Sequence, residues 1–340
     1  MPEVTIRRIA ELANVSAATV SYVLNDRPGI SQRTRDRVLA IVEQEGYVPD
    51  KSSKTAVVRR ESNVYLVVDG EASLGDLFYS TILDTIAVAA QGHELRVVLC
   101  KVTDTFQSSA AAKAVRRGSV DGLIFLRDID SETLLFLSQS EVSFVVIDSH
   151  RRDARYSRIC ADYDEACFTA ATYLIELGHR AVGFIGEQAI PDFYISTFNG
   201  FCRALSSHRL TVHPTWIQSG ACDADSAYRC MESILEFDER PTAVVCATDL
   251  FALAAMRCAQ DHGLRIPDDI SFTGIDDLYF SRLYFPALTT IRIDSFEMAE
   301  KAVECLSRQI ENRRPGPHET VTLQSSRLIV RGSTASPPVR

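Results

Sequence analysis

Three hundred and forty residues with 46% hydrophobic and 24% charged side chains make an ordinary globular chain and exclude disordered, collagen-like and coiled-coil classes. The length exceeds what one hydrophobic core organises, so two or three domains are expected. A net charge of -9 argues against a nucleic-acid partner for the whole chain, yet the first 60 residues carry ten Lys and Arg against seven Asp and Glu. That head has a net charge of +3 and the remainder -12, as befits a phosphate-binding module on a body that must not stick to DNA.

No apolar run approaches the roughly 18 residues of a membrane span, and charges interrupt the opening MPEVTIRRIAEL, so a cytoplasmic protein with no membrane partner is expected. Nine scattered cysteines, mostly among apolar neighbours, read as reduced, buried small hydrophobes.

In chain order, Thr5 is placed to cap a helix whose apolar positions Ile6, Ile9, Ala10 and Ala13 follow the i, i+3, i+4, i+7 rule. Asn14 and Val15 make a tight turn, and Ser16 caps a second helix with Val20, Val23 and Leu24 inside. Ala17, Ala18, Ser21, Tyr22 and Asn25 fall on the opposite face, which is small and polar. After a Pro28-Gly29 turn, Ser31 caps a third helix that buries Val38, Ile41 and Val42. Two helices about three residues apart, the second short and Ser-capped, match the helix-turn-helix pattern. In that motif the second helix enters the major groove with its N-terminal residues towards the base edges. Helical spacing alone also allows an ordinary three-helix subdomain.

The run VSAATVSYVLN, followed by SQRTR and GYVP, resembles the DNA-binding head of the lactose-repressor (LacI) family of bacterial transcription regulators. The resemblance implies that Ala17, Ala18 and Tyr22 read bases. It implies further that Thr5, Ser16, Thr19, Ser21, Asn25 and Thr34 contact phosphate or position the reading helix. Family members often carry Arg at the position of Tyr22; tyrosine lacks the forked guanine contact, so a different half-site is expected. Residues 47–60 match the family hinge, with Lys54 at a basic position and Ala56 where the family places a leucine that wedges into the minor groove. Alanine is too short to unstack a base step.

The acidic body alternates strands and helices. The apolar runs NVYLVV (63–68), LRVVLC (95–100), DGLIFL (121–126) and SFVVID (143–148) form one βα series, and AVGFIG, TWIQSG, TAVVCAT and ISFTGID a second. Two lobes of parallel sheet flanked by helices follow, with a cleft at the carboxyl ends of their strands. The resemblance extends here through VDGLIFL, ELGHRAVGFIG, IPDDISFTGIDD and RLIVRGSTAS, and implies a body with the fold of periplasmic sugar receptors. The expected fold is therefore α + α/β: a helix-turn-helix head (1–46), a hinge (47–60) and a two-lobed periplasmic-binding-protein-like body. The N-terminal lobe comprises 61–160 with 291–320, and the C-terminal lobe 161–290 with 321–333.

By the same resemblance Asp148, Asp249 and Asp276 match ligand-facing or cleft-organising carboxylates, and Phe78 and Tyr79 an aromatic pair that stacks on ligand. The family arginine falls on Thr197 and the asparagine before Asp249 on Thr248, so two polar anchors are missing, while Phe193, Tyr194 and Phe198 make the pocket more aromatic. An altered effector, or none, follows from those departures.

Enzyme chemistry has no foothold. No G-x-G-x-x-G or phosphate loop follows the first strand, and there is no C-x-x-C, H-E-x-x-H or G-x-S-x-G, so no cofactor, metal or catalytic residue is expected. His179 in LGHR is expected at a helix end as a cation. The expected protein is a regulator, a repressor in type. It binds a palindromic double-stranded DNA operator as a homodimer and responds to a sugar-like or nucleoside-like effector in the cleft. The alternatives are a solute-binding protein of the same fold without effector-dependent DNA regulation, and an α/β enzyme.

Overall fold

The computed structural model describes residues 6–24, 30–45, 61–69, 77–151, 156–188, 190–312, 319–323 and 327–338. Thr5, Asn25 and the whole of the expected hinge (47–60), with Lys54 and Ala56, lie outside these residues. The chain forms two compact units, residues 1–61 and 62–340, each taken by itself below.

The first unit contains α1 (Ile6–Ala13), α2 (Ala17–Leu24) and α3 (Gln32–Gln44). Asn14 ends α1 in a left-handed conformation (φ 49°), and the amides of Asn14 and Val15 return to the carbonyls of Glu11 and Ala10. This is the crossed pair of bonds that closes a helix when its next residue tolerates positive φ, as asparagine does. Three helices of 8, 8 and 13 residues are too short to hold alone. Their stability comes from Ile9, Ala13, Val20, Val23 and Val38, all but fully buried.

The second unit holds two six-stranded sheets. In the first, β1 (Ser62–Asp69), β2 (Leu95–Val102), β3 (Gly122–Leu126), β4 (Ser143–Ile147), β5 (Ser157–Ala161) and β11 (Thr320–Leu323) run parallel in the order β11-β5-β4-β3-β1-β2. In the second, β6 (Val182–Ile185), β7 (Ile217–Gln218), β8 (Ala243–Cys246), β9 (Ser271–Asp276) and β10 (Thr289–Arg292) are parallel, and β12 (Arg327–Ile329) joins β10 antiparallel, in the order β12-β10-β9-β8-β6-β7. Helices α4 (Leu77–Gly92), α5 (Ala110–Arg116) and α6 (Ser131–Ser138) belong to the first series; α7 (Tyr163–Glu176), α8 (Pro191–Ser207), α9 (Ala224–Leu235) and α10 (Asp249–Asp261) belong to the second. The long α11 (Ser295–Asn312) returns to the first sheet and packs on α4 and β3–β5. It approaches β3 so closely that a Cβ on Gly122 would meet Leu306 at 2.9 Å.

All eight apolar runs became strands; those inside the sheets are buried, as parallel strands should be, whereas the edge strands β2 and β7 are partly exposed. The strands β5, β10, β11 and β12 were not expected, being short and carrying polar residues. The crossings expected near Ile291 and Val321 fall inside β10 and β11, so the chain changes lobe a few residues later, after Arg292 and after Leu323. In each lobe the chain reverses direction across the sheet, between β1 and β3 and between β6 and β8. These reversals open crevices at the carboxyl ends of the strands.

All nine cysteines are free and seven are buried; Cys202 is half-buried and Cys222 exposed. Burial pushes the thiols of Cys167 and Cys246 far up, which keeps them inert.

His179 departs from expectation. It is fully buried, with Nδ1 2.8 Å from the Thr242 hydroxyl and Nε2 2.9 Å from the Ala335 carbonyl, tying the C-terminal segment to the second lobe. Burial lowers its pKa, so the folded protein holds a neutral ring and not a cation. A folded pKa below the ordinary 6.5 means that the unfolded chain takes up protons first on acidification. The stability His179 contributes is therefore present above pH 6.5 and drains away below it. Urea unfolding at pH 7.5 and 5.5 is expected to show wild type losing ground to His179→Gln at the lower pH; parallel behaviour of the two proteins would count against this.

Candidate functional site

In the first unit, Ser16 Oγ accepts the Thr19 amide at 3.1 Å and lies 2.9 Å from Thr19 Oγ1. The same device opens α3, where Ser31 Oγ accepts the Thr34 amide at 3.3 Å and meets Thr34 Oγ1 at 2.8 Å. Thr19 and Thr34 thus stand at the third helical position, each completing its serine's cap. The cap fixes where α2 starts and therefore which residues face outward. Ser16, Ala17, Ala18 and Tyr22 are exposed, Ser21 is half-buried, and Val20 and Val23 point into the core. Ala18 and Tyr22 are four residues apart and share one surface stripe, with Ala17 and Ser21 beside them. Two alanines at the positive end of a helix leave room for a base edge or a phosphate to approach closely.

In the second unit a cluster forms at the carboxyl ends of the strands, built from both lobes. Asp148 follows β4 in a left-handed conformation (φ 58°) and is 3% exposed. Its carboxylate accepts the hydroxyl of Tyr79 from α4 at 2.6 Å and that of Tyr163 from α7 at 3.0 Å, and lies 3.6 Å from His150 Nε2. The His150 ring packs 5.2 Å from Tyr163 and 4.9 Å from Phe193 of α8, and Tyr163 and Phe193 meet edge to face at 4.9 Å. Phe78 packs against Tyr79 at 5.3 Å. Burial works to raise the Asp148 pKa but is outweighed by the His150 charge and the donated hydrogen bonds, so the carboxylate is held below its ordinary range. Burial raises the Tyr163 phenol well above its ordinary value, with Asp148 and Asp276 adding to it, which places Asp276 beside this cluster.

The cleft candidates thus divide into two groups. Phe78, Tyr79, Asp148, Phe193 and Asp276 gather about one centre. Thr197 and Asp249 are fully buried and spend their polar atoms within the second lobe. The Thr197 hydroxyl returns to the carbonyls of Phe193 and Tyr194 at 3.1 and 3.2 Å. Asp249 binds the Leu278 amide, the Ser281 hydroxyl and the Thr290 hydroxyl, locking the start of α10 to β10 and the segment before it. Thr248 caps α10 through the Phe251 amide at 3.2 Å. Tyr194 and Phe198 stack on each other at 5.4 Å.

Asp276 and Asp277 both have positive φ, 121° and 59°. The Asp277 carboxylate is buried between Arg292, at 2.8 and 2.6 Å, and Arg331, while Asp276 adopts a φ that non-glycine residues avoid. His150 and Tyr163 are the residues that sequence reasoning missed. His150 lies two residues beyond a strand-ending aspartate, and Tyr163 opens the helix after β5, a strand the apolar pattern did not reveal.

Among the described residues no helix is long and apolar enough to cross a membrane, and no group of His, Cys, Asp and Glu is placed to hold a metal ion. The profile of bacterial regulatory proteins of the lacI family matches residues 5–50, and that of a periplasmic binding protein-like domain matches residues 171–334. Over 335 residues the chain is 27% identical to the HTH-type transcriptional repressor PurR of Haemophilus influenzae (strain PittEE), covering 98% of this chain and 99% of that one. It is 29% identical to an Escherichia coli repressor of the same name, covering 99% and 98%. The structure of the transcriptional regulator CelR in complex with cellobiose superposes with a TM-score of 0.73 at 25% identity, covering 97% of this chain and 100% of that one.

A helix-turn-helix head joined to a two-lobed body with a binding cleft defines a class, the DNA-binding transcriptional regulators that carry an effector domain. Within that class, residues 5–50 match the lacI family of bacterial regulatory proteins, and the similar proteins named above are transcriptional repressors.

Proposed function

We propose that this protein is a cytoplasmic repressor that binds a palindromic operator as a homodimer and answers to a small molecule in the interlobe cleft. The observation that carries the reading is the Ser16-capped α2, which turns Ala17, Ala18 and Tyr22 outward on one stripe. One head covers too little DNA for specific binding, so two must act together.

Two exposed apolar surfaces support the pairing. In the first lobe, the eight-residue edge strand β2 carries exposed Val98 and Leu99. In the second, Leu250 at the start of α10 adjoins Tyr279, Phe280, Leu283 and Phe285, the last 89% exposed. Long apolar edges and contiguous patches of this kind are covered in stable proteins. A second copy of this chain would cover a surface of this kind by pairing it with its own equivalent about a two-fold axis. Leu283→Arg is expected to give a monomer by sedimentation and to weaken operator binding on the order of 100-fold, since the second head no longer joins at high effective concentration. A dimeric variant would exclude this surface.

Selection of duplexes from a random pool by the full-length protein tests the whole reading. An inverted repeat with half-sites about one helical turn apart is expected. Tyr22→Ala should relax preference at its own base position, costing about 1–3 kcal/mol there, whereas Thr19→Ala should weaken all duplexes alike. Equal affinity for every duplex, with no repeat emerging, would refute the operator function.

A further inference from the structure

We infer that the cleft carries its own latch: Phe193 of the second lobe seats on His150 of the first, and this contact holds the two lobes shut until a molecule entering the cleft displaces it. The inference rests on the proposed reading of the cleft as the effector site and concerns how entry to that site is controlled.

Each half of the contact is mounted on fixed backbone. On the first lobe, the Asp148 amide bonds the Ile159 carbonyl of β5 at 2.8 Å, and the Asp128 carboxylate beyond β3 accepts the Ser149 hydroxyl at 2.5 Å and the His150 amide at 3.2 Å. The segment that presents the imidazole is thus tied to both neighbouring strands. On the second lobe, Phe193 lies in the first turn of α8, where its carbonyl accepts the Thr197 hydroxyl at 3.1 Å. Helix α8 is wedged against α7, since a Cβ on Gly200 would stand 2.1 Å from the Asp164 carbonyl oxygen, and Arg203 binds Asp164 and Glu165 at 2.7 and 2.8 Å. Phe193 therefore moves with its whole lobe.

Three rings close the gap between these mounts. Phe193 lies 4.9 Å from His150 and 4.9 Å from Tyr163, and His150 lies 5.2 Å from Tyr163, so each ring packs on the other two. Interplanar angles of 51°, 84° and 60° are the tilted and edge-on arrangements that aromatic pairs favour. Tyr163 stands two residues beyond the end of β5, where the chain passes from one lobe to the other, and so lies at the pivot. The Phe193–His150 contact is the side of the triangle that opening must break. Asp148 adds a polar bridge, accepting one hydroxyl from its own lobe, Tyr79, and one from the other, Tyr163.

Burial shows that the cluster fills the space between the lobes. Asp148, Tyr79, Tyr163 and Phe193 are buried and the His150 side chain is 9% exposed, although all five lie at the carboxyl ends of the strands, where an open cleft would wet them. Parting the lobes returns the ring faces to water, and that cost keeps the latch shut. A molecule that enters must replace the contacts Phe193 gives up, so its apparent affinity is reduced to the extent that the latch is shut.

Hydroxyl-radical footprinting of the full-length protein, read by mass spectrometry, tests the latch. Exposed Tyr279 and Tyr156, buried in the first lobe, serve as the reactive and the protected reference. In buffer alone, Tyr79 and His150 of wild type are expected to be as protected as Tyr156. Phe193→Ala should raise the rate at Tyr79 about tenfold, as a mostly shut population becomes mostly open, and leave Tyr156 protected. Phe193→Leu, which restores apolar bulk, should keep the protection. His150→Ala should match Phe193→Ala, and the double variant should expose Tyr79 no further than either, because both open the same latch. Wild-type Tyr79 reacting like Tyr279, Phe193→Ala leaving Tyr79 protected, or additive exposure in the double variant would each overturn the inference. Should Phe193→Ala also expose Tyr156, that variant is unfolding, and the wild-type and His150→Ala footprints decide by the same criteria. The footprint needs neither DNA nor a small molecule, so a failed latch leaves operator selection and effector binding standing, and a failed operator selection leaves the latch standing.

Discussion

Gly200→Ala is expected to destabilise the body by about 3 kcal/mol or more, although alanine is the better helix former by about 1 kcal/mol. Gly200 sits in the middle of α8, where that helix crosses α7. A Cβ there would lie 2.1 Å from the Asp164 carbonyl oxygen and 3.0 Å from the Phe168 amide nitrogen, both backbone atoms that cannot step aside. The crossing is further pinned by Arg203, which binds Asp164 at 2.7 Å and Glu165 at 2.8 Å and lies 3.9 Å over the Phe168 ring. Steric overlap therefore outweighs propensity. Relieving it moves α8 away from α7, taking Phe193 off Tyr163 and His150, so the cleft is disturbed along with the fold. Gly92→Ala is the matched control, because nothing lies within 4 Å of the added carbon. Urea unfolding of the two variants gives the comparison, and equal midpoints would discard the close-crossing argument.

The second large effect is expected at Asp249. Its carboxylate serves three donors: the Leu278 amide at 2.8 Å and the Ser281 hydroxyl from the segment that links β9 and β10, and the Thr290 hydroxyl of β10 itself. Gly274 makes the arrangement possible, since a Cβ there would stand 2.3 Å from Asp249 Oδ1. Asp249→Ala strands those donors in a dry interior, at about 1–3 kcal/mol for each that finds no new acceptor. A total near 3 kcal/mol is expected because the hydroxyls can rotate and the amide cannot. Asp249→Asn retains an acceptor and should cost much less. The acid–base consequence has a definite sign. Burial, with Asp277 adding to it, pushes the Asp249 carboxyl up to about 7 against hydrogen bonds that favour the ionised form. The folded state then holds a proton that the unfolded chain has released, so this stabilising contribution is complete below pH 4 and lost as pH rises through about 7. Asp249→Asn, which carries no titrating group, should gain on wild type between pH 5 and 8 in chemical unfolding. Curves that keep a constant separation would argue that the carboxylate is ionised throughout.

The failed and successful expectations at the cleft have a common cause. Asp148, Asp249 and Asp276 all follow or end a strand at its carboxyl end, and strand periodicity is enough to place them there. Periodicity says nothing about which neighbours reach a carboxylate first. Asp249 is taken by Ser281 and Thr290, residues 32 and 41 positions away in sequence. Asp277 is taken by Arg292 and Arg331, residues 15 and 54 positions away in sequence. His179 was read as a helix-end cation because the residues that bury it, Thr242 and Ala335, are remote along the chain.

What the amino-acid order determined unaided was everything set by local spacing and short-range chemistry. The Ser-x-x-Thr caps of α2 and α3, the asparagine turn between α1 and α2, the outward stripe of Ala17, Ala18 and Tyr22, and eight of the strands were all legible, because each depends on residues within a few positions of one another. Tertiary structure alone decided the pairing of β5, β10, β11 and β12, the points where the chain changes lobe, and the meeting of Tyr79, Asp148, His150, Tyr163 and Phe193 from separate elements. Those outcomes depend on which surfaces meet when two sheets and their helices close on each other. Burial then assigns charge and neutrality to groups whose sequence neighbours are silent about both.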